Sequence, residues 1–242
     1  MRISICLVLV SISTLCFSQE KMDSIRNKLE PYLSFSLNSN GIAPIPSFSL
    51  DKPAIIANIG LVKGRFSFDP GLAYGLDGKA WYIDSWLHYK IIARHKFDLK
   101  LGANFSTFCS GFAISGVKIQ MAERYFTFSI TPTYKFSPVS SLSFDYWSDN
   151  GQEKMSIRGH FFDIVYDRSE IALGQKALVG VNIMLFYINY TGKNDGLFIS
   201  PRVSLGMRKV PVALFFQASQ AIQSNISPWP GFRWNVGISY TL

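Results

Sequence analysis

The sequence predicts an all-β fold: an antiparallel, up-and-down transmembrane β-barrel of about 12 strands, within a range of roughly 10–14. Three observations predict it. First, residues 232–242 alternate without a break, with Phe232, Trp234, Val236, Ile238, Tyr240 and Leu242 set against Arg233, Asn235, Gly237, Ser239 and Thr241. A strand turns successive side chains to opposite faces, so this run has one apolar and one polar face. Second, charged residues make up 17% of the chain, against about 25% in ordinary soluble domains. Aromatic residues are abundant, yet beyond the leader no segment reaches the ~18 continuous apolar residues of a membrane helix. Third, the polar partners along the strands are mostly Ser, Thr, Gly and Asn. A water-facing surface would carry Lys and Glu there, whereas small polar groups suit a confined lumen.

The chain divides into three parts. Residues 1–19 read as a secretory signal peptide: Arg2 supplies the positive start, Ile3 to Leu15 the short apolar core, and Ser18 or Gln19 the expected cut site. Leu15 is bulky where a lipid-anchored cysteine would need a small neighbour, which argues against an anchor at Cys16. Residues 20–30 read as a periplasmic tail or short helix, with Met22, Ile25 and Leu29 at helical spacing. Residues 31–242 form the barrel. Of the three cysteines, Cys6 and Cys16 fall in the leader. Cys109 therefore has no partner for an intramolecular disulfide, and stability must come from elsewhere.

Twelve strand-like segments follow in order. Residues 32–39 place Leu33, Phe35 and Leu37 outward; 54–62 do the same with Ile55, Ala57, Ile59 and Leu61. Segment 65–76 carries Phe66, Phe68, Leu72 and Tyr74, and 80–92 carries Trp81, Ile83, Leu87 and Ile91. In 96–107 the outward set is Phe97, Leu99, Leu101 and Phe105, and in 124–136 it is Phe126, Phe128, Ile130 and Tyr134. Segments 140–148, 155–168, 176–190, 196–208, 210–221 and 231–242 complete the set, with 176–190 apolar on both faces. The tight connections 63–64, 94–95, 137–139 and 209 alternate with the longer stretches 40–53, 108–123, 149–154, 191–195 and 221–230. Bacterial barrels place short turns in the periplasm and longer loops outside, so both ends of the barrel chain are expected at the periplasmic side. Pro70, Pro132, Pro201 and Pro211 fall within these segments. Each removes a ladder donor, so bulges or strand ends are expected at them.

With the leader, the alternating strands and the pattern Trp234, Val236, Ile238, Tyr240, Leu242 in view, the chain resembles Gram-negative outer-membrane β-barrel proteins. The resemblance implies an outer-membrane location and a terminal strand read by the barrel-insertion machinery. The last residue of that family is often Phe, where this chain has Leu242. A soluble exported barrel, with the apolar face turned inward, is the competing architecture.

The candidate site is the lumen wall. By parity the inward charged groups are Arg65, Lys90, Lys100, Lys135, Arg202, Arg208 and Arg233 against Asp69, Asp84, Asp98, Asp145, Asp163 and Asp167, with His88 among them. The two signs nearly balance, so no single-sign selectivity ring is expected. Lys154, Arg158 and His160 are expected to point outward among lipid headgroups, while His95 lies in a tight turn. Ser156 shares the face of His160, but neither a His-x-Ser pair nor the G-x-S-x-G pattern occurs, so a lipid acyl hydrolase is a distant reading. There is no Cys/His cluster for zinc, no calcium loop and no phosphate-binding glycine loop, so no metal and no cofactor is expected. The net charge is +8, but the basic residues are scattered and carry no nucleic-acid motif. The expected partners are outer-membrane lipids and the insertion machinery. The apolar stretch 41–48 is expected either to meet a protein partner or to fold into the mouth as a lid. Two functions follow: a narrow channel for small polar solutes, or a non-conducting accessory barrel of a membrane complex.

Overall fold

The structure, a computed structural model, describes residues 28–45, 48–114, 117–154, 156, 158–191, 194–226 and 231–242; the side chains at 112–114, 117 and 118 lie outside that description. The expected signal peptide and most of the expected tail fall outside the described residues. Twelve strands form one closed antiparallel barrel in which each strand pairs with its sequence neighbours and β1 closes on β12. They are β1 Glu30–Asn38, β2 Ala54–Lys63, β3 Phe66–Gly75, β4 Ala80–Ala93, β5 Phe97–Ile114 and β6 Val117–Ser137. The second half comprises β7 Ser140–Gly151, β8 Arg158–Leu173, β9 Ala177–Tyr190, β10 Asn194–Met207, β11 Val212–Ser224 and β12 Arg233–Thr241.

The alternation of residue types becomes an alternation of faces. Phe128 is 65% exposed while its neighbour Thr127 is 4% exposed. Around the barrel the outward set includes Phe35, Ile59, Phe68, Leu87, Phe105, Phe144, Val203, Phe216 and Val236, all exposed. Ser106, Ser129, Thr131, Ser200 and Asn235 on the other face are buried. A water-soluble barrel would have these faces reversed, because an apolar belt of this extent in water is far larger than monomers carry. The apolar face points out, so the soluble alternative fails. Trp234, Val236, Ile238, Tyr240 and Leu242 of the last strand all face outward. β12 joins β1 in the register Leu37↔Ile238 and Phe35↔Tyr240, and Leu242 N donates to Leu33 O at 2.9 Å.

The prolines have a common geometric account. Pro70 pairs with Ser85 of β4, while the β2–β3 ladder skips from Asn58↔Gly71 to Leu61↔Phe68. Pro132 pairs with Leu99, and the β6–β7 ladder skips from Ile130↔Tyr146 to Thr133↔Ser143. Pro201 pairs with Ile183, and the β10–β11 ladder skips from Ile199↔Gln220 to Arg202↔Gln217. Each missing N–H thus interrupts one seam for a short stretch and leaves the other seam intact. In the Pro201 gap, the Ser200 hydroxyl donates to the Ala218 carbonyl at 2.9 Å. Pro211 lies in the turn before β11 rather than in a strand.

Two expectations are corrected. Residues 108–123 are not a long loop: β5 and β6 stay paired up to Ile114↔Val117. At about 3.4 Å per residue β5 spans about 60 Å, twice the hydrocarbon thickness, so this hairpin stands clear of the loop-end rim. Trp81 does not face outward; it is 2% exposed. The β3–β4 register shifts at Ala73/Tyr74, and this irregularity turns the ring inward. The connection 39–53 folds over the ring, its Phe48 carbonyl accepting a 2.7 Å bond from Trp81 Nε1. Gly41 of that connection lies so close that a Cβ there would sit 2.9 Å from the ring. A glycine is required at this contact.

Candidate functional site

Rows of inward side chains line the lumen, and its two halves differ. At the turn end, where β1 begins and β12 finishes, the wall is polar and cross-paired. Asp98 binds Lys135 Nζ at 3.0 Å and Lys90 Nζ at 3.5 Å. Asp69 accepts bonds from Tyr32 Oη at 2.7 Å and Ser67 Oγ at 2.8 Å, and its other contact is His88 Nδ1 at 2.9 Å. Tyr32 reaches Asp69 by lying flat over Gly60, where a Cβ would collide with the ring. His88 stacks on Trp86 with ring centroids 5.2 Å apart. Asp145 accepts a short bond from Thr131 and Asp167 one from Asn182 at 3.3 Å. The Arg202 guanidinium sits 3.8 Å over the Phe215 ring. It also borders a cavity of about 350 Å³, together with Asp167, Asn182 and Ser204.

Two predicted lumen residues leave the wall. Arg65 lies in the turn before β3, and its guanidinium donates to the Ile91 carbonyl at 2.8 Å, at the turn-end rim. Arg208 is exposed in the turn before β11. Both have inward parity on paper, but strand pairing stops before it reaches them. The other twelve inward-parity groups, Asp69, Asp84, His88, Lys90, Asp98, Lys100, Lys135, Asp145, Asp163, Asp167, Arg202 and Arg233, stand on the inner wall or at its rims.

At the loop end the lumen is filled on the side of β8 to β11. Phe161, Phe186, Ile188, Phe198, Ala221 and Ile226 form a buried cluster with Ile45 of the connection 39–53. A chain of rings runs around the wall: Trp86 meets Trp147 tilted at 5.5 Å, and stacked pairs follow, Trp147–Phe161 at 4.7 Å, Phe161–Phe186 at 5.4 Å and Phe186–Phe198 at 5.0 Å. Such spacings are those of mutually attractive rings. The inward aromatic of β9, Phe186, was illegible because both faces of that strand are apolar, whereas Phe161 and Phe198 share the parity of Asp163 and Arg202. The inward parity of Tyr125 and Trp147 was likewise readable beside Thr127 and Asp145.

The connection 39–53 is seated by polar ties at both ends. The buried Asn235 amide donates to Asn38 Oδ1 at 2.8 Å, and its carbonyl oxygen accepts from Asn40 N at 3.1 Å. Asp51, at a positive φ of 52°, receives both Arg233 Nε at 2.8 Å and Arg233 Nη2 at 3.1 Å. The neck closes through Gly41 N to Lys52 O at 2.8 Å and Leu50 N to Gly41 O at 2.9 Å. Of the two courses open to stretch 41–48, the described part therefore takes the inward one: Ala43 and Ile45 are buried. Pro44 between them stays exposed.

On the outer face, Lys154, Arg158 and His160 are exposed as expected. His160 Nδ1 lies 2.9 Å from Tyr146 Oη. Ser156 is engaged elsewhere: its hydroxyl donates to the Glu153 carbonyl at 2.9 Å and accepts from Glu153 N at 2.8 Å. In that loop the Arg124 backbone N–H and then its guanidinium hold the Glu153 carboxyl below its ordinary range.

The fold and the outward apolar belt define the chain as a β-barrel of the outer-membrane type. No protein-family model and no curated protein matches the sequence. Solved structures do match in fold. A KdgM porin is superposed with a TM-score of 0.54 at 10% identity, covering 86% of this chain and 98% of that one. The same scores at 9% identity are found for a KdgM porin in complex with disordered oligogalacturonate. A NanC porin gives a TM-score of 0.51 at 9% identity, covering 88% of this chain and all of that one. At these identities the likeness is one of fold.

Proposed function

We propose that this protein is an outer-membrane channel for small polar solutes, closed at its loop end by the connection 39–53 in the state described. The observation that carries the reading is the division of the lumen. The turn-end half is polar and holds a cavity of about 350 Å³, while the obstruction at the other end includes a tethered loop. A barrel whose purpose was only to fill space would have no need of the polar half. The fold likeness to porins supports the same reading. Solutes would pass along Asp69, Asp84, His88, Lys100, Asp145 and Arg202, with Lys90 and Asp98 at the turn-end exit and Arg233 at the loop-end mouth. The barrel would be delivered by an N-terminal signal peptide and inserted through its last strand, leaving Leu242 in the periplasm. Lys154, Arg158 and His160 would contact lipid headgroups.

A second reading is favoured by the aromatic cluster itself. Phe161, Phe186 and Phe198 belong to the wall, not to the loop, and moving the loop leaves them in place. A non-conducting accessory barrel in a membrane complex would be built this way, with the exposed part of stretch 41–48 offered to a partner. Single-channel recording in planar bilayers separates the two. Heat-modifiable, folded protein is expected to conduct in brief openings, and a variant with residues 42–49 replaced by a short Gly-Ser linker is expected to stay open. Silence from both proteins would end the channel reading.

A further inference from the structure

The chamber directly beneath the connection 39–53 points to what the lumen takes. Its volume is about 110 Å³, and it lies between that connection and the inner faces of β4, β5, β6 and β7. Two carboxylates, Asp84 and Asp149, line it beside the rings of Phe48, Trp86, Phe108, Tyr125 and Trp147, and no Lys, Arg or His does. Phe48 stacks on Phe108 at 4.3 Å and meets Tyr125 edge-on at 5.3 Å, which fixes the rings as a cage. Asp84 accepts from Asn104 Nδ2 at 3.4 Å, and Asp149 accepts a short bond from Thr127 Oγ1. These neutral donors orient the carboxylates and bring no charge. Among the described residues neither carboxylate has an ion-pair partner.

Two kinds of group therefore call for the same ligand property. A carboxylate removed from water without a counter-charge is costly, and a cation relieves it. The face of an aromatic ring is electrically negative and attracts a cation, most strongly one with little hydration of its own. A further sign lies one inward step along β7 and β8, where Asp145 faces Asp163 in register. Asp163 is 3% exposed and its Oδ1 has no hydrogen-bond partner among the described residues. Size narrows the class. A water needs ~10–15 Å³ and benzene fits an engineered cavity of ~150 Å³, so the chamber suits a group of a few heavy atoms and is too small for a sugar ring.

We infer that this chamber binds a small organic cation, a primary or quaternary ammonium group held between the rings of Trp86, Tyr125 and Trp147 and the carboxylates of Asp84 and Asp149. The inference deepens the channel reading by naming the solute class. Binding itself needs only the folded barrel. The chain's net charge of +8 would suggest an anion, but recognition is local, and this chamber is lined by acids alone among charged groups.

The test is isothermal titration of the full chain, folded in detergent, with tetramethylammonium chloride. Saturable binding is expected, with tert-butanol, a neutral molecule of similar shape, binding much more weakly. Asp84→Asn and Asp149→Asn should each weaken binding by about tenfold or more, and Asp195→Asn on the outer face should leave it unchanged. Tryptophan fluorescence of the unmodified protein gives a second readout that needs no variant, since the cation would sit against Trp86 and Trp147. No heat or fluorescence change from the folded protein would overturn the inference. So would equal binding of tert-butanol, or undiminished binding by the doubly substituted protein. Conductance without cation binding removes this inference alone; binding without conductance removes the channel reading and leaves the chamber.

Discussion

The two ends of the lumen solve the same problem with different chemistry. At the turn end, the space inside the wall is occupied by charged and polar groups that satisfy one another: Lys90 and Lys135 on Asp98, and Tyr32, Ser67 and His88 on Asp69. At the loop end it is occupied by rings that exclude water: Trp147, Phe161, Phe186 and Phe198, capped by Ile45. A charged wall can be rehydrated at modest cost per pair. A ring cluster can be opened only by exposing apolar area, so stability concentrates at the loop end.

If that contrast is right, the largest effect belongs to the ring cluster. Phe186, 1% exposed and stacked on both Phe161 and Phe198, should cost about 3–5 kcal/mol when truncated to Ala. Urea unfolding in lipid or detergent would measure it, and a loss below about 1 kcal/mol would mean that the cluster is not a packed core. Next comes the ionic turn end. Asp98→Asn leaves two lysines facing each other without their shared acid, and a loss of about 1–2 kcal/mol is expected in the same assay.

The tether should affect function more than stability. Arg233→Gln releases Asp51 and should lengthen channel openings, while unfolding shifts by less than about 1 kcal/mol because the pair is partly exposed. Unchanged gating would show that the Asn235 network alone holds the connection. The smallest effect belongs to the outer loop. Glu153, held below its ordinary range chiefly by the Arg124 backbone N–H, is partly exposed. A depressed carboxyl supports the folded state above its unfolded value and loses that support as pH falls through the folded one. Arg124→Gln removes the guanidinium but keeps the backbone N–H, so it should raise the Glu153 titration midpoint only part of the way toward its ordinary range, read by side-chain NMR, with the unfolding midpoint at neutral pH almost unmoved.

The parts of the fold that were legible are those where one face is apolar and the other small and polar. Phe126, Phe128 and Ile130 against Thr127, Ser129 and Thr131 admit one assignment of faces, and so do Trp234, Val236 and Ile238 against Asn235 and Gly237. Legibility failed at Trp81, because a register irregularity reverses parity without any residue type that announces it. It failed in β9, where Met184, Phe186 and Ile188 resemble Ile183, Leu185 and Tyr187. It failed for 108–123, where the strands continue past the membrane and nothing in the polarity of the sequence marks the rim. The prolines were visible, but which seam each one interrupts depends on which neighbour its nitrogen faces.

The sequence alone determined the strand number, the alternation of faces and the closing strand, because side-chain period and turn chemistry are local properties of the backbone. It also identified most of the charged groups that stand on the inner wall. Only the tertiary structure decided that Arg65 and Arg208 lie at the rim, that stretch 41–45 turns inward, and that Asp84 and Asp149 share one aromatic chamber. Those facts depend on where a closed barrel brings distant strands and a folded-in loop together across the lumen, and spacing along the chain does not encode such distances.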